Sequence, residues 1–193
     1  MKDKLRIAKI VALGLIIVAA AAFLHYNLPR AAVVSIQGTD VKRMDASGSL
    51  AKNPNRAGTR DVRFINTVRK NNRVLVLRNE DTGWGWPPYF KFNSADLVAQ
   101  AQAFANENPP PTVLITYYGW RIQLFSLYPN IIRMRAVAPD YSHFPWFNII
   151  FLILLTAALL YMRIKVKRTY NRVRERFFKK QAPPSDAGDD SRP

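Results

Sequence analysis

The chain has 193 residues, of which 49% are hydrophobic, and it carries a formal net charge of +16. This length suits one modest domain together with membrane anchors. The absence of cysteine excludes disulfide frameworks, cysteine-ligated zinc sites and thiol catalysis. A strongly positive net charge favours anionic partners. Because two of the basic clusters adjoin apolar segments, we expect the partner to be anionic lipid rather than nucleic acid.

The first apolar segment comes after a cationic start. Residues 1–9 contain four cations and are predicted to form a cytoplasmic N-terminus, whereas residues 10–28 carry no charge. The pattern predicts a first transmembrane helix over 10–28. A cleaved signal peptide is the alternative, because small residues occur at Ala19–Ala22. We favour the uncleaved helix, since the apolar run continues past these alanines, and both interpretations export the residues that come after the segment.

The second apolar segment spans residues 144–162. Its 19 uncharged positions nearly match the ~30 Å core of a bilayer, so a second transmembrane helix is predicted. Residues 163–180 are strongly basic and carry apolar residues at helical spacing, which predicts an amphipathic cytoplasmic helix. Residues 181–193 have the composition of a disordered tail. The cations expected to contact anionic lipid are Arg163, Lys165, Lys167, Arg168, Arg172, Arg174 and Arg176.

The cations near each apolar segment predict the orientation of the chain. Four precede the first segment and three come after it within residues 25–44; two precede the second within 126–143 and nine come after it within 163–180. Cytoplasmic flanks carry the excess of Lys and Arg. We therefore predict a multi-pass protein of the bacterial inner membrane with both termini cytoplasmic and the intervening domain in the periplasm.

Residues 29–143 are predicted to form this periplasmic domain. Strands are expected near 33–44, where Gly38 marks a bend or bulge, at 61–68 and 73–78 as an antiparallel hairpin, and at 112–118 and 131–137. An irregular loop is expected at 45–60, and a helix over 95–106 capped by Ser94. The fold class is a membrane α+β protein: two transmembrane helices flank a small domain of about five short, mainly antiparallel strands and one helix.

An aromatic segment is the most unusual local pattern in the domain. Five of the nine residues from Trp84 to Phe92 are aromatic, with glycines and prolines among them. Such rings suit either a stacking platform for a glycan, peptide or lipid, or packing in the core and docking onto the adjacent membrane. The candidate ligand or interface surface consists of Trp84, Trp86, Tyr89, Phe90 and Trp120.

Four stretches of the sequence resemble those of a known family. They are Asp61–Asn66, the long stretch Arg78–Phe92, Tyr118–Ile122 and Pro145–Asn148. Together they are similar to a family of two-pass bacterial inner-membrane proteins that is catalogued only as a domain of unknown function. The resemblance implies a periplasmic domain between two spans, and it supplies no catalytic residue.

The sequence offers little for catalysis. Glu80 and Asp81 are adjacent and would point to opposite faces of an extended chain, so they suit a turn better than a carboxylate pair. His25 and His143 each adjoin an apolar segment and are too few for a zinc site. We therefore predict no catalytic residue, no metal and no cofactor.

The sequence favours a non-enzymatic membrane protein that acts as an accessory, assembly or scaffold component of an envelope complex. Its partners would be anionic lipid and other envelope or membrane proteins. The alternative is a periplasmic ligand-binding module that uses the aromatic segment 84–92, and an envelope hydrolase is the least favoured interpretation.

Overall fold

The computed structural model describes residues 2–45 and 59–181. Most of the loop predicted at 45–60, and the tail predicted at 181–193 apart from Gln181, lie outside these ranges. The chain begins with helix α1, Lys2–Asn27, which includes the cationic start as well as the apolar segment. Helix α1 and the domain after it form one unit, which ends at Pro145, and the remainder forms a second unit.

The domain is a closed five-stranded barrel. Its strands are β1 (Arg30–Asp45), β2 (Thr59–Arg69), β3 (Val74–Asn79), β4 (Val113–Tyr118) and β5 (Asn130–Ala136), with helix α2 (Ser94–Asn106) between β3 and β4. The order around the barrel is β1-β2-β3-β5-β4. Four neighbouring pairs are antiparallel, and β3 with β5 is the parallel pair. Five strands and one helix confirm the predicted content.

The long strand β1 closes the barrel by pairing on both sides. Its first residues, Arg30–Val34, pair with β4, and Val34–Asp45 pairs with β2. The register with β2 shifts between Ile36 and Gly38, so of the predicted bend or bulge at this glycine the structure has the bulge. At 16 residues, β1 is longer than the short strands expected from the sequence. This strand order, with a helix between β3 and β4, is the architecture of the OB-fold, a five-stranded Greek-key barrel.

One apolar core fills the barrel. Alternate residues of β3 point inward, and Leu75 and Leu77 are buried with Ile65, Ile115 and Ile131. Leu97 and Ala101 of α2 join the same core, as their helical spacing predicted. The domain therefore has its own hydrophobic centre and does not depend on the apolar helices for it.

The second unit contains helix α3, Trp146–Gln181, which is continuous for 36 residues. The predicted apolar span and the predicted basic helix are thus parts of one helix. Both α1 and α3 are long and apolar enough to cross a membrane, over Asp3–Asn27 and Trp146–Arg174. Within the most apolar window of each helix, no residue is buried against the rest of the protein.

Candidate functional site at the end of helix α1

The predicted surface residues gather where α1 joins the barrel. We call Trp84, Trp86, Tyr89, Phe90, Phe92 and Trp120 the aromatic collar. Residues 80–93 lie in the connection between β3 and α2, and Trp120 lies in the connection between β4 and β5. Both connections contact the last turns of α1, the first through Trp86 and Tyr89 and the second through Trp120.

The collar rings divide into two groups by exposure. Trp84 is 83% exposed, and its ring meets those of Phe90 and Phe92 edge to face, with centroids 5.4 and 5.7 Å apart. Trp86 is 67% exposed and stacks on Phe23 of α1 at 5.8 Å. Trp84 and Trp86 therefore have different ring partners, because the chain turns between Thr82 and Gly85.

Tyr89 and Trp120 are half-buried, and both form hydrogen bonds with the end of α1. The Tyr89 ring stacks on Tyr118 at 4.9 Å, and its hydroxyl donates to the carbonyl oxygen of Asn27. The indole N–H of Trp120 donates to Nδ1 of His25 at 2.7 Å. Of the five residues predicted as a ligand or interface surface, these two mainly hold α1 on the barrel, which leaves Trp84, Trp86 and Phe90 exposed.

The barrel also satisfies backbone groups at the end of α1. The last carbonyls of a helix have no partner within the helix and must find one elsewhere. The N–H of Gly119 donates to the carbonyl oxygen of Tyr26 at 2.9 Å, and the hydroxyl of Tyr89 donates to the carbonyl oxygen of Asn27. The guanidinium of Arg30, the first residue of β1, donates to the carbonyl oxygen of Gly119. These bonds join helix and barrel through backbone groups as well as rings.

A buried polar network lies among the collar residues and the barrel strands. Its members are Asn79, Lys91, Asn130 and Tyr118, all of them buried. Nζ of Lys91 donates to Oδ1 of Asn79 at 2.6 Å and to the carbonyl oxygen of Glu80 at 3.2 Å. Nδ2 of Asn130 donates to that same carbonyl at 2.9 Å and to the Tyr118 hydroxyl at 3.1 Å. The network connects the aromatic segment to β3 and β5.

Burial shifts the ionisation of this region. Loss of solvation lowers the pKa of Lys91 to about 8, although the carboxylates of Asp81 and Glu80 act in the opposite direction. Burial also raises the pKa of Tyr89 to about 12, and it raises the pKa of Tyr118. A lysine with a pKa near 8 resembles a general base, but this side chain is 3% exposed and already donates to two protein oxygens.

The two adjacent carboxylates have structural roles. Asp81 accepts hydrogen bonds from the backbone N–H of Ser94 at 2.9 Å and from its hydroxyl at 2.7 Å, so Asp81 caps α2. The prediction that Ser94 caps this helix is wrong: Asn93 occupies the N-cap position without a side-chain cap bond, and Ser94 is the first helical residue. Glu80 forms an ion pair with Arg78 at 2.7 Å.

The sequence reasoning missed Phe92 and the buried polar network. In Phe90-Lys91-Phe92 the two phenylalanines are exposed and the lysine is buried, which reverses the usual preference. Only the density of aromatic residues around Lys91 hinted at an unusual environment. Among the described residues, no cluster of three or more His, Asp or Glu is placed to hold a metal ion.

Comparison with known proteins shows the family of this chain. The family model described as "Protein of unknown function (DUF1523)" matches residues 5–170. The chain belongs to this family. The matched range includes most of α1, the whole barrel and the apolar part of α3. The match to the family model therefore includes residues of both helices as well as the barrel.

A relative of the chain occurs in Haemophilus influenzae. This protein, described as "Uncharacterized protein", is 44% identical over 117 residues, which cover 60% of this chain and 66% of the relative. The match thus spans just under two thirds of the relative's length. No solved structure matches the chain significantly.

Proposed function

We propose that this DUF1523 protein crosses the bacterial inner membrane twice, with both termini in the cytoplasm and the barrel in the periplasm. There it acts as a non-enzymatic accessory, assembly or scaffold component of an envelope complex. The observation that carries the proposal is the exposure of the most apolar stretch of each of two long helices. Their apolar windows have mean hydropathies of 2.6 and 2.2, and no residue in either window is buried.

Lipid is the partner that such helices fit. Exposed apolar patches on soluble proteins rarely exceed a few hundred Å², and each of these helices is apolar on all sides over about 18 residues or more. Helix α1 covers 25 residues from Asp3, about 38 Å at 1.5 Å per residue, which is enough to cross a ~30 Å core. The cations at residues 2–9 and 163–174 then mark the cytoplasmic side.

The length of α3 supports a partner beyond the membrane. Its 36 residues extend about 54 Å, well beyond the ~30 Å core. Because the helix is continuous, its basic half continues along the axis of the span. The first cations after Met162 are placed to meet anionic headgroups, and each would contribute about 1 kcal/mol. Farther along, Val166, Tyr170 and Val173 form an exposed apolar stripe suited to a partner helix.

The polar groups of the long family motif support a structural role. Asp81 caps a helix, Glu80 pairs with Arg78, and Lys91 is enclosed by the protein. OB-fold barrels often bind oligonucleotides or oligosaccharides on the face of strands 2 and 3 and through the loops that join strands 1 to 2 and 4 to 5. In this chain the loop between β4 and β5 is bonded to α1 through Gly119 and Trp120. Since one fold serves many functions, the fold by itself assigns no such ligand.

Native purification in mild detergent tests the proposed role. We expect the full chain to be recovered with a stable membrane-protein partner, and Tyr170→Ser with Val173→Ser to weaken that recovery. The matched control is Ile164→Ser, which removes an exposed apolar residue from nearly the opposite face of α3. Recovery of a lone monomer, or equal loss of the partner in the control, would contradict the proposal.

A further inference from the structure

We propose that the exposed rings of the aromatic collar, together with the tip of the β4–β5 loop, insert into the lipid interface beside α1. The occupant of this surface is the headgroup–acyl boundary of the periplasmic leaflet. The inference rests on the proposed function, since it requires α1 to span the membrane. It adds that the barrel lies against the bilayer instead of standing away from it.

The chemistry of the surface fits a lipid interface. Trp84, Trp86, Phe90 and Phe92 are all more than half exposed, and no charged side chain stands between their rings in sequence except buried Lys91. Large apolar side chains gathered at one place are costly in water. Tryptophan in particular is enriched at headgroup level, where one part of its ring is solvated and the other is apolar.

The contacts of Trp86 and Tyr89 with α1 place this segment close to the end of that helix. Trp86 stacks on Phe23, which lies four residues before the end of the helix at Asn27. Four residues correspond to about 6 Å along the axis. A ring in contact with Phe23 is therefore close to the level at which α1 leaves the hydrocarbon core. Tyr89 contacts Asn27 itself and fixes the segment at that level.

A second loop reaches the same end of α1. Residues 119–129 connect β4 to β5, and their base is held by Gly119 on Tyr26 and Trp120 on His25. The bridge between Ile122 and Leu127 makes a short ribbon whose tip exposes Leu124 at 85% and Phe125 at 66%. Two loops that are distant in sequence are thus both held on the end of α1, and both expose apolar residues.

Contacts within the protein hold both loops in place. The N–H of Gly83 donates to the carbonyl oxygen of Lys91 at 3.0 Å, and the N–H of Lys91 donates to the Thr82 hydroxyl at 3.1 Å. In the second loop, the Arg121 guanidinium lies over the Tyr128 ring at 4.1 Å. A surface whose rings are already held in place loses little conformational entropy when it enters the interface.

Because the chain has no cysteine, single cysteines can carry an environment-sensitive fluorophore at chosen positions. Pro88→Cys and Gln123→Cys sample the two loops and retain every ring, and Ala103→Cys on the exposed face of α2 is the control. The full chain is reconstituted in phosphatidylethanolamine and phosphatidylglycerol vesicles that contain lipids spin-labelled near the headgroup. We expect several-fold stronger quenching at positions 88 and 123 than at 103.

Two further variants separate the possible failures. A fluorophore at Leu13→Cys, in the middle of α1, should be quenched by lipids spin-labelled deep in the chain; if it is not, the proposed membrane insertion itself fails. If the fluorophore at 13 is quenched while those at 88 and 123 emit as in water, the interface insertion of the two loops is overturned and the membrane span of α1 stands. Adding Trp84→Ser and Phe90→Ser to Pro88→Cys should abolish the lipid quenching of the fluorophore at position 88, because the segment then loses two of its inserted rings. A response at 88 to soluble cell-wall fragments, without quenching by lipid, would assign the surface to a ligand and overturn the inference.

Discussion

Lys91 is the residue whose environment departs furthest from its sequence context. Its flanking phenylalanines are exposed, while its amine is buried against Asn79 and the Glu80 carbonyl. Burial lowers the pKa of Lys91 from 10.5 to about 8. The unfolded chain therefore binds more protons than the folded chain between these two values, and folding stability rises with pH across that window.

This shift predicts a pH dependence that one substitution removes. The melting temperature of the full chain in detergent should increase from pH 8 to pH 9.5. Tyr89 does not oppose this increase, because its raised pKa of about 12 lowers stability only above its ordinary value of 10. Lys91→Met should flatten the profile, whereas Lys70→Met, which replaces an exposed lysine, should leave it unchanged. An equal slope in both variants would contradict the assignment.

Asp81 gives a second prediction at the residue scale. Its carboxylate caps α2 through two hydrogen bonds from Ser94, so Asp81→Ala should lower the free energy of unfolding by about 0.5–2 kcal/mol. Asp96→Ala is the matched control, because Asp96 is an exposed residue in the first turn of α2, where its charge interacts favourably with the helix dipole by about 0.3–1 kcal/mol. Denaturant midpoints in detergent measure both. A larger loss for Asp96 than for Asp81 would refute the cap.

Gly119 holds the junction between α1 and the barrel. Its φ of +91° lies in the region that favours glycine, so the cost of a side chain here comes from the backbone; an added Cβ would make an ordinary contact, 3.5 Å from Cα of Pro129. Gly119→Ala should therefore destabilise the protein by about 1–3 kcal/mol. Gly14→Ala is the control, because a Cβ there meets nothing within 4 Å. Thermal melting compares the two, and equal melting temperatures would show that the strain at Gly119 is absorbed.

At the scale of elements, local patterns predicted much of the fold. The alternation in β2 and β3 around the turn at 70–72 predicted the hairpin, and the spacing of Leu97 and Ala101 predicted the buried face of α2. Closure of the barrel was not predictable, because it depends on pairing β1 with β4 some 80 residues away. The cap of α2 was missed for the same reason: its acceptor, Asp81, is 13 residues from Ser94.

The candidate site shows the same limit. The density of rings predicted the surface at Trp84, Trp86 and Phe90, and the structure leaves all three exposed. Sequence could not separate them from Tyr89 and Trp120, since the division depends on which rings contact α1. Composition indicates aromatic character, but only tertiary contacts decide whether a ring packs or remains available.

At the scale of the whole molecule, two apolar helices belong to the same family domain as the barrel. The contacts of α1 with the collar join helix and barrel into one unit. If α1 spans the membrane, the barrel is fixed at its surface and has little freedom to move away. The orientation of the spanning helices then determines in which compartment the barrel lies.

Cysteine accessibility tests the central claim, which is this topology. Ala103→Cys lies on the exposed face of α2, and Thr169→Cys lies in the basic half of α3 without loss of a charge. We predict that a membrane-impermeant maleimide labels position 103 in spheroplasts, and labels position 169 only after the membrane is permeabilised. Labelling of 169 but not 103 in intact spheroplasts would reverse the orientation. Equal labelling of a protein recovered in the soluble fraction would contradict the membrane assignment itself.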